Sequence, residues 1–286
     1  MPAGKKQAME TLRLHMTFGL IQQIRLVHAL AESSHPVSIP ASEEPKFDAL
    51  RARFGFRFAP PDAPGVDVTR FVRCEHRAPA TFIGRIERPV IFPRAMADYC
   101  RSLWPARRAH RFSFQGLVFG ARRTLLQKWI KANLGGRTPR LPDAEGAVAR
   151  WRNKLFRAAG LDPTRKQRIG DLLLWESSRG RRFPVKAWDE EYVGALAASE
   201  FVLCPDGEHV WTYRLFESAL CGAIPIVERA CPAYAGFRFR SFEDRAGRLT
   251  WSAEDAEHNY RLCAERLTIA QPTLDAEIAH ILEQAR

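Results

Sequence analysis

The chain's 286 residues are 46% apolar and 27% charged, an ordinary globular composition that excludes wholesale disorder and leaves room for one large core or two modest ones. Its 44 Lys and Arg against 32 Asp and Glu leave a net charge of +12, a field that attracts phosphates, nucleotides, nucleic acid or an anionic membrane face and says nothing of fold. Six cysteines without CxxC or other metal-like spacing, and the lack of a signal-peptide pattern, point to a reducing, cytoplasmic setting. Since no apolar run approaches the roughly 18 residues of a membrane span, an integral protein is not expected.

In chain order, Met9, Leu12, Met16, Leu20, Ile24, Val27 and Leu30 recur at steps of three and four, which predicts one helix from about Gln7 to Glu32. Lys5, Lys6, Arg13 and Arg25 surround that stripe; a membrane surface would suit it, and packing on the protein's own core is the expectation. From Ser33 to Pro93 the chain is rich in proline, with FGFRF (Phe54 to Phe58), RFVRC (Arg70 to Cys74), TFIG and PVIF as strand candidates. A helix from about Arg94 to Trp104 ends at Pro105.

Beyond Pro105 the pattern becomes regular. HRFSFQGLVFG reads as a strand and glycine-bounded turn, and Ala121 to Asn133 as a helix with Leu125, Leu126, Trp129 and Ile130 on one face. After the loop GGRTPRLPDAEG a second helix would turn Val148, Trp151 and Leu155 inward and stop at Gly160. DLLLW, Asp171 to Trp175, is the continuous apolar run of a strand covered on both faces. Asp189 can cap a helix whose buried side is Tyr192, Val193 and Leu196, with Glu190 and Glu191 in its first turn. FVLC (Phe201 to Cys204) is a short buried strand, Thr212 can cap a helix running to Cys221, and Gly222 suits its stop. AIPIV follows, with Pro225 implying an edge or strand-start position. Helical patterns near Ala253 to Leu267 and Thr273 to Ala285 close the chain. Strand and helix alternate with short links, the arrangement of a doubly wound α/β layer over residues 108–286, behind a smaller N-terminal domain of residues 1–107.

The run CPDGEHVWTYRLFESALCGAIPIV, Cys204 to Val227, lies at a strand's carboxyl end, where such layers bind ligands. Pro205-Asp206-Gly207 is a sharp turn. The helix starting near Thr212 offers free N–H groups to an anion, Arg214 adds a guanidinium whose fork fits phosphate oxygens, and Glu217, on the same helical face, can accept from vicinal hydroxyls such as those of a ribose. A solvated Arg–Glu pair is the bland alternative. Together the features suit a ligand with phosphate at one end and a hydroxylated ring at the other. A second candidate is the turn between Gly116 and Gly120, where Arg122, Arg123 and, further on, Lys128 either meet a diphosphate or form a solvated basic face.

These residues resemble the nucleotide-sugar signature of GT-B glycosyltransferases, in particular exostosin-like enzymes: a Cys-Pro-x-Gly turn, then Ser-Pro-Arg-x-x-Glu-Ala, then Gly-x-x-Pro-Val. The chain reads Cys204-Pro205-Asp206-Gly207, Thr212-Tyr213-Arg214-Leu215-Phe216-Glu217-Ser218 and Gly222-Ala223-Ile224-Pro225-Ile226, with Tyr213 in place of the family's Pro and Ser218 in place of its Ala. The resemblance implies a GT-B-like α/β fold: a doubly wound C-terminal nucleotide-binding domain and a small, reduced N-terminal acceptor domain. It implies sugar transfer from a nucleotide-sugar donor, which enters as substrate with no cofactor, to a glycan or lipid-linked saccharide acceptor. Glu217 would hold the donor's ribose and Arg214 its phosphates or sugar, with Gly207, Thr212, Tyr213, Gly116, Arg122 and Arg123 completing the donor site. Arginines and a helix N-terminus can stabilise a departing phosphate without metal, and the sequence has no Asp-x-Asp motif.

An inverting transfer needs a general base. Asp67, Glu75, His76 and Glu87 are candidates, and Glu208 and His209, in the crevice loop itself, are the best placed. The charge fits a growing polysaccharide or a lipid-linked, phosphate-bearing acceptor, and peripheral contact with an anionic membrane at its inner face. A basic nucleic-acid- or membrane-binding protein and a catalytically silent relative are the alternatives; no nucleic-acid-binding signature is present, so no nucleic acid is expected as partner.

Overall fold

The computed structural model describes residues 9–56, 58–61, 63–118, 120–135, 141, 147–159 and 164–286. The chain forms two compact units, Met1–Ala97 with Glu265–Arg286, and Asp98–Ala264. Residues 265–286, placed with the C-terminal domain by the sequence reading, thus cluster with the first unit.

The first unit runs β1 (Leu12–Arg13), α1 (Ile21–Leu30), β2 (Val37–Ser38), α2 (Asp48–Phe54), β3 (Val66–Asp67), β4 (Val72–Glu75), β5 (Ala80–Ile83) and β6 (Ile86–Arg88), and α3 (Arg94–Ser102) leads out of it. Parallel strands in the order β2-β1-β3 make one small sheet, and the antiparallel meander β4-β5-β6 another. The long N-terminal helix expected from Gln7 is not formed; Gln7 itself lies outside the described residues. Leu12 and Leu14, both buried, alternate as a strand, and α1 begins only at Ile21, where the Gln23 side-chain carbonyl accepts from Gly19 N and Leu20 N at 2.9 Å. The steps of three and four came from two elements laid end to end. FGFRF is likewise not a strand. Phe54 ends α2, Gly55 closes it at φ 62°, and Phe58 makes one isolated bridge to Val37. PVIF is irregular, and the third strand of the meander is Ile86–Arg88 instead.

The second unit continues with β7 (His110–Gly116), α4 (Gly120–Asn133), α5 (Ala147–Ala158), β8 (Thr164–Ile169), β9 (Leu172–Ser177), α6 (Glu190–Ala197), β10 (Ser199–Cys204), α7 (Tyr213–Leu220), β11 (Ile224–Val227), β12 (Arg240–Ser241) and α8 (Ala253–Leu267); α9 (Gln271–Ala285) closes the chain in the first unit. There the buried Glu277 accepts from Arg85 N at 2.8 Å and pairs with its guanidinium at 2.9 Å, joining α9 to the β5–β6 turn.

The large sheet has the order β12-β11-β10-β7-β9-β8 and is parallel except for β8, which pairs antiparallel to β9. TRKQRI was not expected as a strand; polar side chains hide its β-pattern, and a tight turn with Gly170 at φ 55° fixes it to β9 as an edge. One sheet face packs Phe112, Phe114, Leu172, Leu174, Phe201, Leu203, Ile224 and Ile226 with Leu126, Trp129 and Ile130 of α4. The alternate residues face α6 and α7, as the 3.9 Å approach of Cys204 Sγ to Ser218 Oγ of α7 shows. Asp189 caps α6 by accepting from Tyr192 N. Pro225 is at neither an edge nor the first strand position: it is the second residue of β11, opposite Val202 of β10, and pairing with β12 begins only after it, at Ile226.

In α5 the sequence expectation fails. Val148, Trp151 and Leu155 are exposed, not inward, because apolar periodicity shows which face a helix has and not what meets it. The proposed stop at Gly160 lies outside the described residues, as does nearly all of the preceding loop.

Candidate functional site

From β7 the chain crosses to the edge strand β8, comes back as β9 beside β7, and then adds β10, β11 and β12 on the other side. The direction of winding therefore switches between β7 and β10, and a crevice opens beyond the carboxyl ends of those two strands. Gly116 closes β7 there and Cys204 closes β10.

The turn after Cys204 is pinned from outside. Asp206 N donates to Glu228 Oε2 at 3.2 Å, the Asp206 carboxylate accepts from Arg229 Nε at 2.6 Å, and Gly207 N donates to His209 O at 3.1 Å. Burial nevertheless pushes the Asp206 carboxyl above its usual range. Thr212 then starts α7, accepting from Arg214 N at 3.3 Å while its own N donates to the Tyr234 hydroxyl at 2.7 Å. The expected cap, turn and glycine stop (Gly222, φ 73°) are all in place.

Arg214 reaches from the first turn of α7 across the end of β7. A Cβ built on Gly116, whose φ is 144°, would stand 2.6 Å from Arg214 Nη2, and the guanidinium carbon lies 4.8 Å from the Phe114 ring centroid. Arg214 Nε and Nη1 are buried and, among the described residues, have no hydrogen-bond partner. Arg122, near the start of α4, converges on the same place: it donates to Leu117 O at 3.2 Å and to Asp206 O at 3.1 Å. Burial, then the charges of Arg214 and Arg181, pull the Arg122 guanidinium down to about 10. Crowding of cations at a helix N-terminus is the electrostatics of an anion site.

Glu217, 8% exposed, stands one turn further along α7, where its Oε2 accepts from the Tyr192 hydroxyl of α6 at 2.7 Å. Burial and then the Glu217 charge hold the Tyr192 phenol well above its usual value, so it remains a donor. Burial also pushes the Cys204 thiol up to about 12, which leaves it a hydrophobe and not a nucleophile.

The structure thus brings Gly116, Arg122, Gly207, Thr212, Tyr213, Arg214 and Glu217 to the switch point and its flanking helix. Arg123 turns elsewhere, donating to Leu141 O at 3.2 Å, and Lys128 lies on the exposed side of α4. Glu208 is exposed and His209 half-buried in the loop between β10 and α7. The remaining acid–base candidates belong to the first unit. Asp67 caps Thr69 N at 2.9 Å, Glu75 pairs with Arg73 at 3.3 Å, His76 sits in the β4–β5 turn, and Glu87 is exposed on β6.

The sequence reading missed Gln115. It is 1% exposed on β7, on the face turned to α6 and α7, and neither amide atom has a partner among the described residues; the same holds for Ser113 Oγ and for the indole nitrogen of Trp175, the register neighbour of Gln115. The available signal was two polar residues inside HRFSFQG, alternating with Phe112 and Phe114, in a strand destined for the middle of a sheet.

Residues 182–238 match the family described as RXYLT1 C-terminal domain. No curated protein matches the sequence significantly. Among solved structures, AviGT4, a glycosyltransferase involved in avilamycin A biosynthesis, is similar at 12% identity over 97% of each chain, with a TM-score of 0.47. The matched segment contains the Asp206 turn, Thr212, Arg214, Glu217 and Gly222. The match over residues 182–238 supports the exostosin-like resemblance carried by the sequence.

Proposed function

We propose that this protein transfers a sugar from a nucleotide-sugar donor to a glycan or lipid-linked saccharide in polysaccharide biosynthesis, without metal and in a GT-B arrangement, meeting its acceptor at the inner, anionic face of a membrane. The observation that carries the reading is the pair Arg214 and Arg122 at the β7–β10 switch point, the first with two buried nitrogens that no described residue engages. These guanidiniums and the N-terminus of α7 take the donor's diphosphate, and Glu217, oriented by Tyr192, takes the ribose.

In an inverting transfer the acceptor oxygen bonds to the anomeric carbon, the bond from that carbon to the phosphate oxygen breaks with its electron pair going to the phosphate, and the acceptor proton passes to a base. Arg214 and Arg122 oppose the charge developing on the leaving phosphate, an interaction stronger in the transition state than in the bound donor. Glu208 or His209, in the loop beside them, is the base. Because the matched family is one of exostosin-like xylosyltransferases, a uridine diphosphate pentose heads the donors to be tried.

Thermal unfolding against UDP, GDP, ADP, CMP and their sugar conjugates tests this, repeated with Glu217→Ala and Arg214→Ala. Ligand at about a hundred times its Kd adds roughly 2.7 kcal/mol, a rise of a few degrees. The expected result is a rise with one base only, lost in both variants. No rise with any nucleotide, beside a rise with an oligonucleotide, would sink the reading.

A further inference from the structure

We infer that α5 is the element by which this protein docks on an anionic lipid surface, lying flat with Val148, Trp151, Leu155 and Phe156 in the interface. The inference rests on the membrane-facing part of the proposed function and gives it a location on the chain.

Five large apolar side chains are exposed among the described residues, and four of them are on this one helix: Val148 (80%), Trp151 (65%), Leu155 (48%) and Phe156 (37%). A stray exposed apolar residue is ordinary, whereas a cluster on one element marks a surface made to be covered. Steps of three, four and one place the four on a single arc of the helix at 3.6 residues per turn. The helix sequence, AVARWRNKLFRA, has Arg150, Arg152, Lys154 and Arg157 and no acidic residue. Of these, Lys154 is exposed. The strand that follows, β8, is the outermost of the sheet and adds exposed Arg165 and Arg168.

That charge pattern decides the occupant. A second copy of this chain packed through the same apolar arc would leave the helix's cations without a counter-charge, as would a neutral glycan. A surface with anionic headgroups above acyl chains satisfies both halves of the helix. At 1.5 Å per residue the 12 residues extend about 18 Å, too short to cross a bilayer and long enough to lie along one. No helix among the described residues is long and apolar enough to cross a membrane.

The test is co-sedimentation of the full chain with vesicles of phosphatidylcholine alone or of equimolar phosphatidylcholine and phosphatidylglycerol, at low and high salt, for the wild type and for Trp151→Ser/Leu155→Ser. Melting temperature, oligomeric state and the nucleotide-induced thermal shift are read on the same samples. The expected result is binding to the mixed vesicles only, weakened by salt, and reduced about tenfold or more in the double variant as buried apolar area is lost, with the other three readings unchanged. Failure of the wild type to bind, or equal binding by the variant, would overturn the inference. So would a melting temperature lowered by several degrees or a changed oligomeric state, since either would mean that protein covers this face. A missing nucleotide shift with vesicle binding intact would count against the donor reading and leave the docking surface standing; the reverse outcome would do the opposite.

Discussion

Arg214 and Gly116 come together across the mouth of the sheet: a side chain at 116 would have its first carbon 2.6 Å from the Arg214 guanidinium. The glycine is required twice, by that approach and by its φ of 144°, a region L side chains rarely enter. Gly116→Ala is expected to cost about 1–3 kcal/mol of stability from backbone strain and to displace Arg214. Donor binding should fall with it, by roughly tenfold for a lost charge-assisted contact. Calorimetric titration with the nucleotide identified in the thermal panel reads the second effect, and unchanged affinity would show that Arg214 does not engage the ligand.

Tyr192 and Glu217 are the second linked pair. Tyr192→Phe keeps the ring and removes the hydroxyl that donates to Glu217 at 2.7 Å. A buried carboxylate deprived of a donor is expected to lose about 1–3 kcal/mol of stability. With its rotamer no longer fixed, Glu217 should bind the donor's ribose more weakly, raising KM with little change in kcat. Steady-state kinetics that show kcat falling and KM fixed would contradict a role in ribose binding.

Much of this site was legible in the sequence, and the reasons are local. Thr212, Gly222 and the Asp206 turn each obey a short-range backbone rule, so their places follow from residue type alone. The regular α/β unit was legible because FVLC and the LLLW of residues 172–175 are apolar throughout, as strands covered on both faces must be. Gln115 was not legible, since its burial depends on β9 and β10 flanking β7 on either side. The first unit misled for a related reason. Its strands β1, β2 and β3 are two residues each, too short for a period, and Leu12 fits a helical stripe as well as a strand until pairing with Val37 decides between them.

His28 gives the first unit a pH dependence. Its ring lies 5.2, 4.8 and 5.5 Å from the rings of Phe47, Phe56 and Phe58, and Nδ1 meets Ile24 O at 2.8 Å. Burial, with a smaller contribution from Arg51, lowers its pKa from 6.5 to about 3. The unfolded chain binds a proton below about 6.5 that the folded chain refuses until about 3, so stability falls as pH falls through that window, with a slope approaching about 1.4 kcal/mol per pH unit. Denaturant titrations between pH 7 and pH 4 should show this slope for the wild type and a flatter one for His28→Phe. Equal slopes would mean that the imidazole is protonated in the fold.

Gln115 separates binding from structure by the sign of a stability change. Its amide is buried at 1% exposure with no described partner for either atom, and such a group costs about 1–3 kcal/mol in the free protein. A side chain retained for packing alone is improved by a leucine of similar size, and nothing else changes. One retained for a ligand trades stability for affinity: its amide completes hydrogen bonds only when the donor occupies the crevice beside Gly116 and Arg214. Gln115→Leu is therefore expected to melt higher than the wild type by a few degrees without ligand and to show a smaller shift with the nucleotide sugar, the loss being greater for the sugar conjugate than for the bare nucleotide. A higher melting point with an undiminished ligand shift would assign Gln115 to the core, and a lower one would show that ordered water already satisfies its amide in the free protein.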